Sequence, residues 1–503
     1  MKKINIFLCL LAIVVGVTAC YEDKGNYDYK DLISLELDTV GMNLSAGKTA
    51  YQFENFTLDP KVKYAGNETD LEYLWKLYLQ VPPRLPEGVT KYDSAKVLSH
   101  EPIIDEVIYD VPGDYYLTLE VTDKVSDTKT YLTFKLKIES AVSRGICVLE
   151  EWDGVFDLSM IKNKRLIPEL EESRAGVEYN IFSNVNKGQT MSDGKFLSQL
   201  SPRGVAGDFF VFTSTGMYKL SRNSFELMSD DYSSLFSFSA GMTFKPQAHI
   251  TVTSNSPAEY LLNNGKIHTM RYMYSDIVFG DYVSGGEYEA MPFLVKIPNA
   301  NNYVLFFDKL NKRFLPINKW GDVINVYEST PSEAFDVNYI DKELFYLEQG
   351  YNNLTYAVFN DKGTSNYYLY EADFSGEQAA PKAVYDMSVC TGIDENTIFT
   401  FANRGAYCFY VSKNHLYRYN YTSNTCQDAI PAFNGETITA MKIFKKANHE
   451  LDGQLLIVAT CNEVGEGKMY FLDFNAISGT IDEAGLANPY NGFGRIQDFM
   501  DKE

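Results

Sequence analysis

The 503-residue chain predicts an all-β protein, an N-terminal β-sandwich followed by a β-propeller of about seven blades. Three observations carry that expectation. Tyrosine (37) and phenylalanine (32) are abundant, and aromatic residues suit pleated, half-buried surfaces. Residues 33–140 alternate apolar and polar with period two. From Ser143 the chain repeats a strand pattern every few tens of residues.

The N-terminus reads as a leader. Lys2 and Lys3 precede an apolar stretch, Ile4 to Val17, that is too short to span a bilayer. Val17-Thr18-Ala19-Cys20 then resembles a bacterial lipobox. Residues 1–19 are expected to be a signal peptide, and Cys20 the lipidated first residue of the mature chain. Several acyl chains together hold a protein to a membrane where one gives only marginal binding. Residues 20–32 are polar and tyrosine-rich and read as a tether.

Residues 33–140 read as the sandwich. Ile33-Ser-Leu-Glu-Leu and Tyr115-Tyr-Leu-Thr-Leu-Glu-Val are examples of its alternation. Pro112-Gly113-Asp114 is a turn that launches the penultimate strand. Trp75 lies within an alternating strand and is expected in the core.

Residues 143–503 read as the propeller. Apolar strands begin near Ile146, Phe209, Tyr260, Tyr303, Leu344, Tyr407 and Leu455, at intervals of 41 to 63 residues. Each is taken as the first strand of a repeat. Later strands have the form Gly/Asn-x-apolar-Tyr, as in Gly216-Met-Tyr-Lys-Leu and Asn414-His-Leu-Tyr-Arg-Tyr. A period near 40–50 residues with several short strands is a propeller signature, because one blade cannot bury both of its faces alone.

CYEDKGNYDY at Cys20, LEYLWKLY at Leu71, VPGDYYLTLEVTDKVSDTKTYLTFKL at Val111, YLLNNGKIHTM at Tyr260 and FGDYVSGGEYEAMPFLV at Phe279 together resemble the PKD-like family of Bacteroidetes lipoproteins. The resemblance implies an Ig/PKD-like domain ahead of a propeller-like region. Glu22-Asp23 after the cysteine also resembles the export signal of surface lipoproteins. The resemblance further implies association with starch-utilisation-type importers, a TonB-dependent barrel with its surface lipoprotein. Glu151-Trp152-Asp153-Gly154 departs from the family pattern, which bears on ligand choice.

Charge and motifs exclude much. The full chain carries −22, and loss of the two-lysine leader takes the mature chain to −24. Such a chain offers no electrostatic footprint for nucleic acid. It would be repelled by anionic lipid head groups, so any membrane attachment must be covalent. Five cysteines remain after Cys9 and Cys20, with no CxxC spacing, so no zinc ribbon is indicated. One disulfide among Cys390, Cys408, Cys426 and Cys461 stays open. His268 and His415 read as ordinary strand residues, and no HExxH, nucleophile elbow or P-loop occurs. Acid pairs such as Glu171-Glu172 and Asp230-Asp231 read as solvated surface.

No catalytic residue, metal or cofactor is therefore expected. Trp152, just before an Asp-Gly turn, and Trp320, in a polar loop, are the candidate ligand-binding residues, because flat rings on loops stack on sugars or pack on peptides. The expected function is capture of an extracellular nutrient, glycan or peptide, by an outer-membrane lipoprotein facing the cell exterior. The alternatives are a propeller-type polysaccharide hydrolase or lyase, and a protein-docking scaffold of the importer complex.

Overall fold

The computed structural model describes residues 33–80, 95–201, 207–253, 258–271, 278–328, 334–431 and 433–502. The leader, Cys20 and the tether lie outside these residues. The described chain is nearly all β; its one α-helix, α1, spans Ile181–Val185. No described helix is long and apolar enough to cross a membrane.

The chain divides into two compact units. Residues up to 49, 56–106 and 114–137 make the first; 50–55, 107–113 and everything from 138 onward make the second.

In the N-terminal region the strands are β1 (Leu35–Asp38), β2 (Lys48–Tyr51), β3 (Asn55–Leu58), β4 (Lys61–Tyr64), β5 (Leu71–Leu79), β6 (Lys96–Ser99), β7 (Ile104–Val107), β8 (Gly113–Asp123) and β9 (Thr128–Glu139). They form a five-stranded sheet ordered β2-β9-β8-β5-β6 and two pairs, β1 with β4 and β3 with β7. Strand β8 starts at the Pro-Gly turn, as expected. Its turn into β9 is fixed by the Asp123 carboxylate, which accepts from Val125 N (2.9 Å) and Ser126 Oγ (2.6 Å). Trp75 on β5 is fully buried, and its indole N–H donates to Glu101 O at 3.0 Å. A buried tryptophan needs such a partner for its one polar atom.

The second unit holds seven antiparallel sheets among its described residues, following one another along the chain. The first joins β10 (Gly145–Trp152), β11 (Val155–Lys162) and β12 (Gly176–Glu178). The second is β13 (Phe196–Gln199), β14 (Phe209–Phe212), β15 (Met217–Leu220) and β16 (Leu227–Ser229). The third is β17 (Pro246–Val252), β18 (Ala258–Asn263) and β19 (Lys266–Arg271). The fourth is β20 (Val295–Lys296), β21 (Asn302–Asp308) and β22 (Arg313–Asn318). The fifth is β23 (Glu343–Gln349), β24 (Thr355–Asn360), β25 (Tyr367–Asp373) and β26 (Ala380–Asp386). The sixth is β27 (Phe399–Phe401), β28 (Tyr407–Ser412), β29 (His415–Asn420) and β30 (Thr425–Ile430). The seventh is β31 (Thr437–Ile443), β32 (Leu455–Cys461), β33 (Gly467–Asp473) and β34 (Tyr490–Phe493). The last strand, β35 (Arg495–Lys502), returns to pair with β10 and completes the first sheet in the order β12-β11-β10-β35.

One strand from each sheet meets its neighbours in turn. β35 touches β13, β17 touches β20, β20 touches β23, β23 touches β27, β27 touches β31, and β31 touches β35. The remaining step, β13 to β17, is made by Ser198 Oγ and His249 Nδ1. These meeting strands therefore close on themselves. Ion pairs fasten the same strands: Lys442 on β31 meets Asp498 on β35 at 2.5 Å, and Lys445 reaches Glu348 on β23. Each space between sheets is filled by apolar side chains from both walls, such as Leu305, Phe307 and Phe314 against Phe359 and Ala372.

One expectation needs correction. Six of the seven strands taken as first in their repeats are the second strands of their sheets: β10, β14, β18, β21, β28 and β32. These are buried along nearly their whole length because sheets cover both faces, so they read as continuous apolar runs. The true first strands are shorter or half-polar, such as Phe196-Leu-Ser-Gln and Val295-Lys. Leu344 instead marks a first strand, β23.

Candidate functional site

Strand β10 runs buried from Gly145 to Glu150 and then emerges at Trp152. Asp153 (φ 49°) and Gly154 (φ 81°) both adopt left-handed backbone, which makes the two-residue turn of a tight hairpin. Trp152 and Val155 face each other across it. The turn is locked by Gly154 N, which donates to Glu151 Oε1 at 2.9 Å. The Trp152 side of this hairpin is half-open, with Trp152 42 % and Val155 43 % exposed.

Beneath the exposed ring the strand carries an acid. Glu150 is 2 % exposed. It accepts from Ser159 Oγ and from Gly494 N (2.6 Å), and the Trp152 indole interacts with the same carboxylate. Burial pushes the Glu150 carboxyl up from its ordinary pKa, against those donors, and Asp157 adds to the rise. Asp157 stands directly across the hairpin from Glu150. It too is raised by burial, although it accepts from Leu158 N (2.7 Å), Phe182 N (2.9 Å) and Ser183 N at the start of α1. Two like charges in this position repel each other, so burial and repulsion both favour a neutral acid here.

Two further pieces come from distant sequence. Gly494, at the head of β35, passes close against Trp152 and the Glu151 carbonyl. A Cβ there would lie 2.7 Å from Trp152 Cδ1 and would overlap the Glu151 carbonyl. Tyr179 packs tilted on Phe493 with ring centroids 5.5 Å apart, and its hydroxyl donates to Asn491 O. Its phenol pKa is raised by burial first and by the Glu150 charge second. Arg495 lies opposite Glu151 on the adjoining strand and is exposed, and Gln497 Nε2 reaches Glu151 Oε2 at 3.4 Å. Trp152 is thus a half-exposed ring on a fixed turn, with a glycine against it and polar groups at the rim.

Trp320 is elsewhere. It is 47 % exposed and follows β22, in a turn where Asn318 Nδ2 donates to Asp322 Oδ1 (2.9 Å) and Arg271 donates to Trp320 O (3.2 Å). The Lys319 ammonium lies 5.3 Å from its ring centroid. Trp152 precedes the turn from second to third strand in its sheet, whereas Trp320 follows the third strand in its own. Strands alternate in direction, so the two tryptophans occupy opposite ends of their sheets.

His268 and His415 lie apart in different sheets. His268 is buried, its Nδ1 lies 3.1 Å from Gly280 O, and burial lowers its pKa. His415 pairs with Asp428 at 2.8 Å. Among the described residues no three His, Cys, Asp or Glu gather as metal ligands. His249, unremarked in the sequence, bridges Ser198 Oγ at Nδ1 and Glu259 Oε2 at Nε2. The second contact, 3.2 Å, lacks the alignment of a hydrogen bond. Both the His249 and Glu259 side chains are enclosed, and these contacts tie neighbouring strands together.

The Glu150–Asp157 pair was within reach of the sequence. Counting outward from the Asp-Gly turn puts those two acids opposite each other. Tyr179 and Gly494 had no local signal, because only the return of β35 brings residue 494 to the hairpin.

Comparison with known proteins supports this architecture. The PKD-like family matches residues 20–193. No curated protein matches the sequence. In three dimensions the chain is similar to a quinonprotein alcohol dehydrogenase-like protein from Bacteroides thetaiotaomicron, at TM-score 0.51 and 13 % identity, covering 93 % of this chain and 99 % of that one. A DUF4784 family protein from Bacteroides caccae is a looser match, at TM-score 0.33 and 9 % identity over 79 % of this chain and 96 % of that one. The first likeness makes the fold β-propeller-like and says nothing of activity; the second is too loose to bear on either.

Proposed function

We propose that the protein is an outer-membrane lipoprotein, anchored through Cys20 and facing the cell exterior, that captures an extracellular glycan for a TonB-dependent importer without turning it over. In this reading the first unit is an Ig/PKD-like sandwich that acts as a spacer. The second is a seven-bladed propeller closed by β35, and a sugar ring stacks on Trp152. The observation that carries the reading is the half-exposed Trp152 indole, held against Gly494 and Glu150. A ring already fixed in place loses little freedom when a ligand stacks on it, and aromatic anchors of this kind dominate binding energy. Arg495 and Gln497 at the rim supply donors for hydroxyl groups.

The rival reading, a polysaccharide hydrolase or lyase, draws on the Glu150–Asp157 pair, since glycoside hydrolysis uses two carboxyl groups. Both carboxyls are buried and already bonded to protein donors. That arrangement favours a structural acid pair under a binding surface. Titration of the purified protein with a panel of polysaccharides and oligosaccharides, with product analysis on the same samples, tests the proposal. Saturable binding without products is expected. Released oligosaccharides would establish the rival, and binding to peptides alone would replace the ligand class.

A further inference from the structure

Three of the five described cysteines cluster around the sixth sheet. Cys408 lies on β28 and Cys426 on β30, and both pair across β29 with Tyr419. Cys390 lies in the segment between β26 and β27, where its N–H donates to Met387 O at 2.8 Å. Cys390 and Cys426 are both partly exposed and pack on one apolar cluster that includes Cys408, Tyr410 and Tyr419.

Tyr410 joins the two sites. Its hydroxyl lies 3.1 Å from Thr391 O, next to Cys390, and 3.3 Å from Cys426 Sγ. The Cys390 and Cys426 thiols share this cluster, and each shifts the acidity of the other. Cys408 is a poor alternative. It and Cys426 sit one strand apart on either side of β29, so their Cα atoms are about 9–10 Å apart, beyond the roughly 7 Å that a disulfide spans. Cys408 is also fully buried, and Cys461 belongs to the seventh sheet.

We propose that Cys390 and Cys426 form a reversible disulfide, with a small organic disulfide such as oxidised glutathione as the oxidant. Cys426 attacks first. Its thiolate bonds to one glutathione sulfur, the glutathione S–S bond breaks, and one glutathione thiolate leaves. Cys390 then loses its proton to the departed thiolate and attacks Cys426 Sγ, expelling the second glutathione. The protein loses two electrons and two protons, and the oxidant becomes two thiols. The order follows from the surroundings: the neighbouring Cys390 thiol first, and the Tyr410 hydroxyl 3.3 Å away, hold the Cys426 thiol below its ordinary pKa, while Cys390 is raised. A thiolate is the attacking species in such exchange. The product would clip the segment before β27 to the outer strand of the sixth sheet.

The test is incubation of the folded full chain with oxidised glutathione, followed by alkylation, non-reducing digestion and mass spectrometry. The expected result is a peptide containing Cys390 joined to one containing Cys426, two mass units lighter than the sum and released by dithiothreitol. In Cys390→Ser the reaction should stop with glutathione on Cys426. In Cys426→Ser residue 390 should stay unmodified. Melting of both variants alongside reduced wild type checks that they fold, and the wild-type result stands without them. A wild type that keeps both thiols free, or joins either one to Cys408 or Cys461, would overturn the proposal. Glutathione trapped on Cys390 in Cys426→Ser would overturn the order of attack.

Discussion

Gly494 lies against Trp152, and the space beside it is too small for one methyl group: a Cβ at 494 would come 2.3 Å from Glu151 O and 2.7 Å from Trp152 Cδ1. The glycine is therefore a condition of the ring's position. Gly494→Ala is expected to tilt the indole and to cost about 1–3 kcal/mol, the usual range for overpacking. Denaturant melts would read the stability, and the Trp152 fluorescence maximum would read the displacement.

If Trp152 is the stacking surface, Trp152→Ala should weaken glycan binding by on the order of 2 kcal/mol while leaving the melting temperature close to wild type. Trp320→Ala, at the opposite end of its sheet, should leave that binding unchanged. Calorimetric titration of both variants with whichever glycan the wild type binds separates the two residues. Equal losses in both would mean that the binding surface has been misplaced.

Glu150 should leave a signature in pH dependence. Its folded pKa is raised by burial, so the native state holds a proton that the unfolded chain releases. That contribution to stability is complete below the ordinary carboxylate range and is lost as pH rises through the raised value. Glu150→Gln removes it. The difference in unfolding free energy between wild type and variant should therefore move against the wild type as pH climbs from about 4 toward neutrality. A pH-independent difference would mean that Glu150 is charged in the native state.

Lys502 should do the reverse at the alkaline end. Its amine donates to Val142 O (3.1 Å) and Ser143 O (2.8 Å), and burial lowers its pKa to about 8. Between there and the unfolded value near 10.4, the unfolded chain holds the extra proton. Native stability then rises with pH across that window. Lys502→Met should lack this rise, as urea melts at pH 7.5 and 9.5 would show.

Removing residues 495–503 deletes β35 and leaves β10 with an unpaired edge. The second unit is expected to lose its cooperative melting transition, because β35 also touches β13 and β31. Differential scanning calorimetry reads this. A truncated chain that melts like the wild type would mean that closure by β35 contributes little.

What the sequence made legible follows burial. Strands covered on both faces, such as Asn302–Asp308 and Leu455–Cys461, are continuous apolar runs and stand out. The strands that meet one another are short or half-polar, as in Phe399-Thr-Phe, and carry no usable period. That is why Leu344, on β23, was grouped with strands from a different position in their sheets. It also explains the 63-residue step from Leu344 to Tyr407, which runs from a first strand to a second. The Asp-Gly turn beside Trp152 was readable because two left-handed residues in sequence demand such chemistry. Gly494 was not, since only β35 pairing brings it in, and Tyr179 was not, since its partners Asn491 and Phe493 lie far away along the chain.

The pairing of β10 with β35 also sets an order of events. β10 is among the first strands of the second unit to be synthesised, and its partner β35 spans Arg495–Lys502. About 340 residues separate them, and closing so long a loop delays folding far more than it lowers stability. Until β35 is in place, the apolar Ile146-Cys-Val-Leu segment presents an open strand edge, the kind of template on which chains aggregate. A chain in which β35 has yet to pair therefore carries an exposed edge that the folded protein lacks.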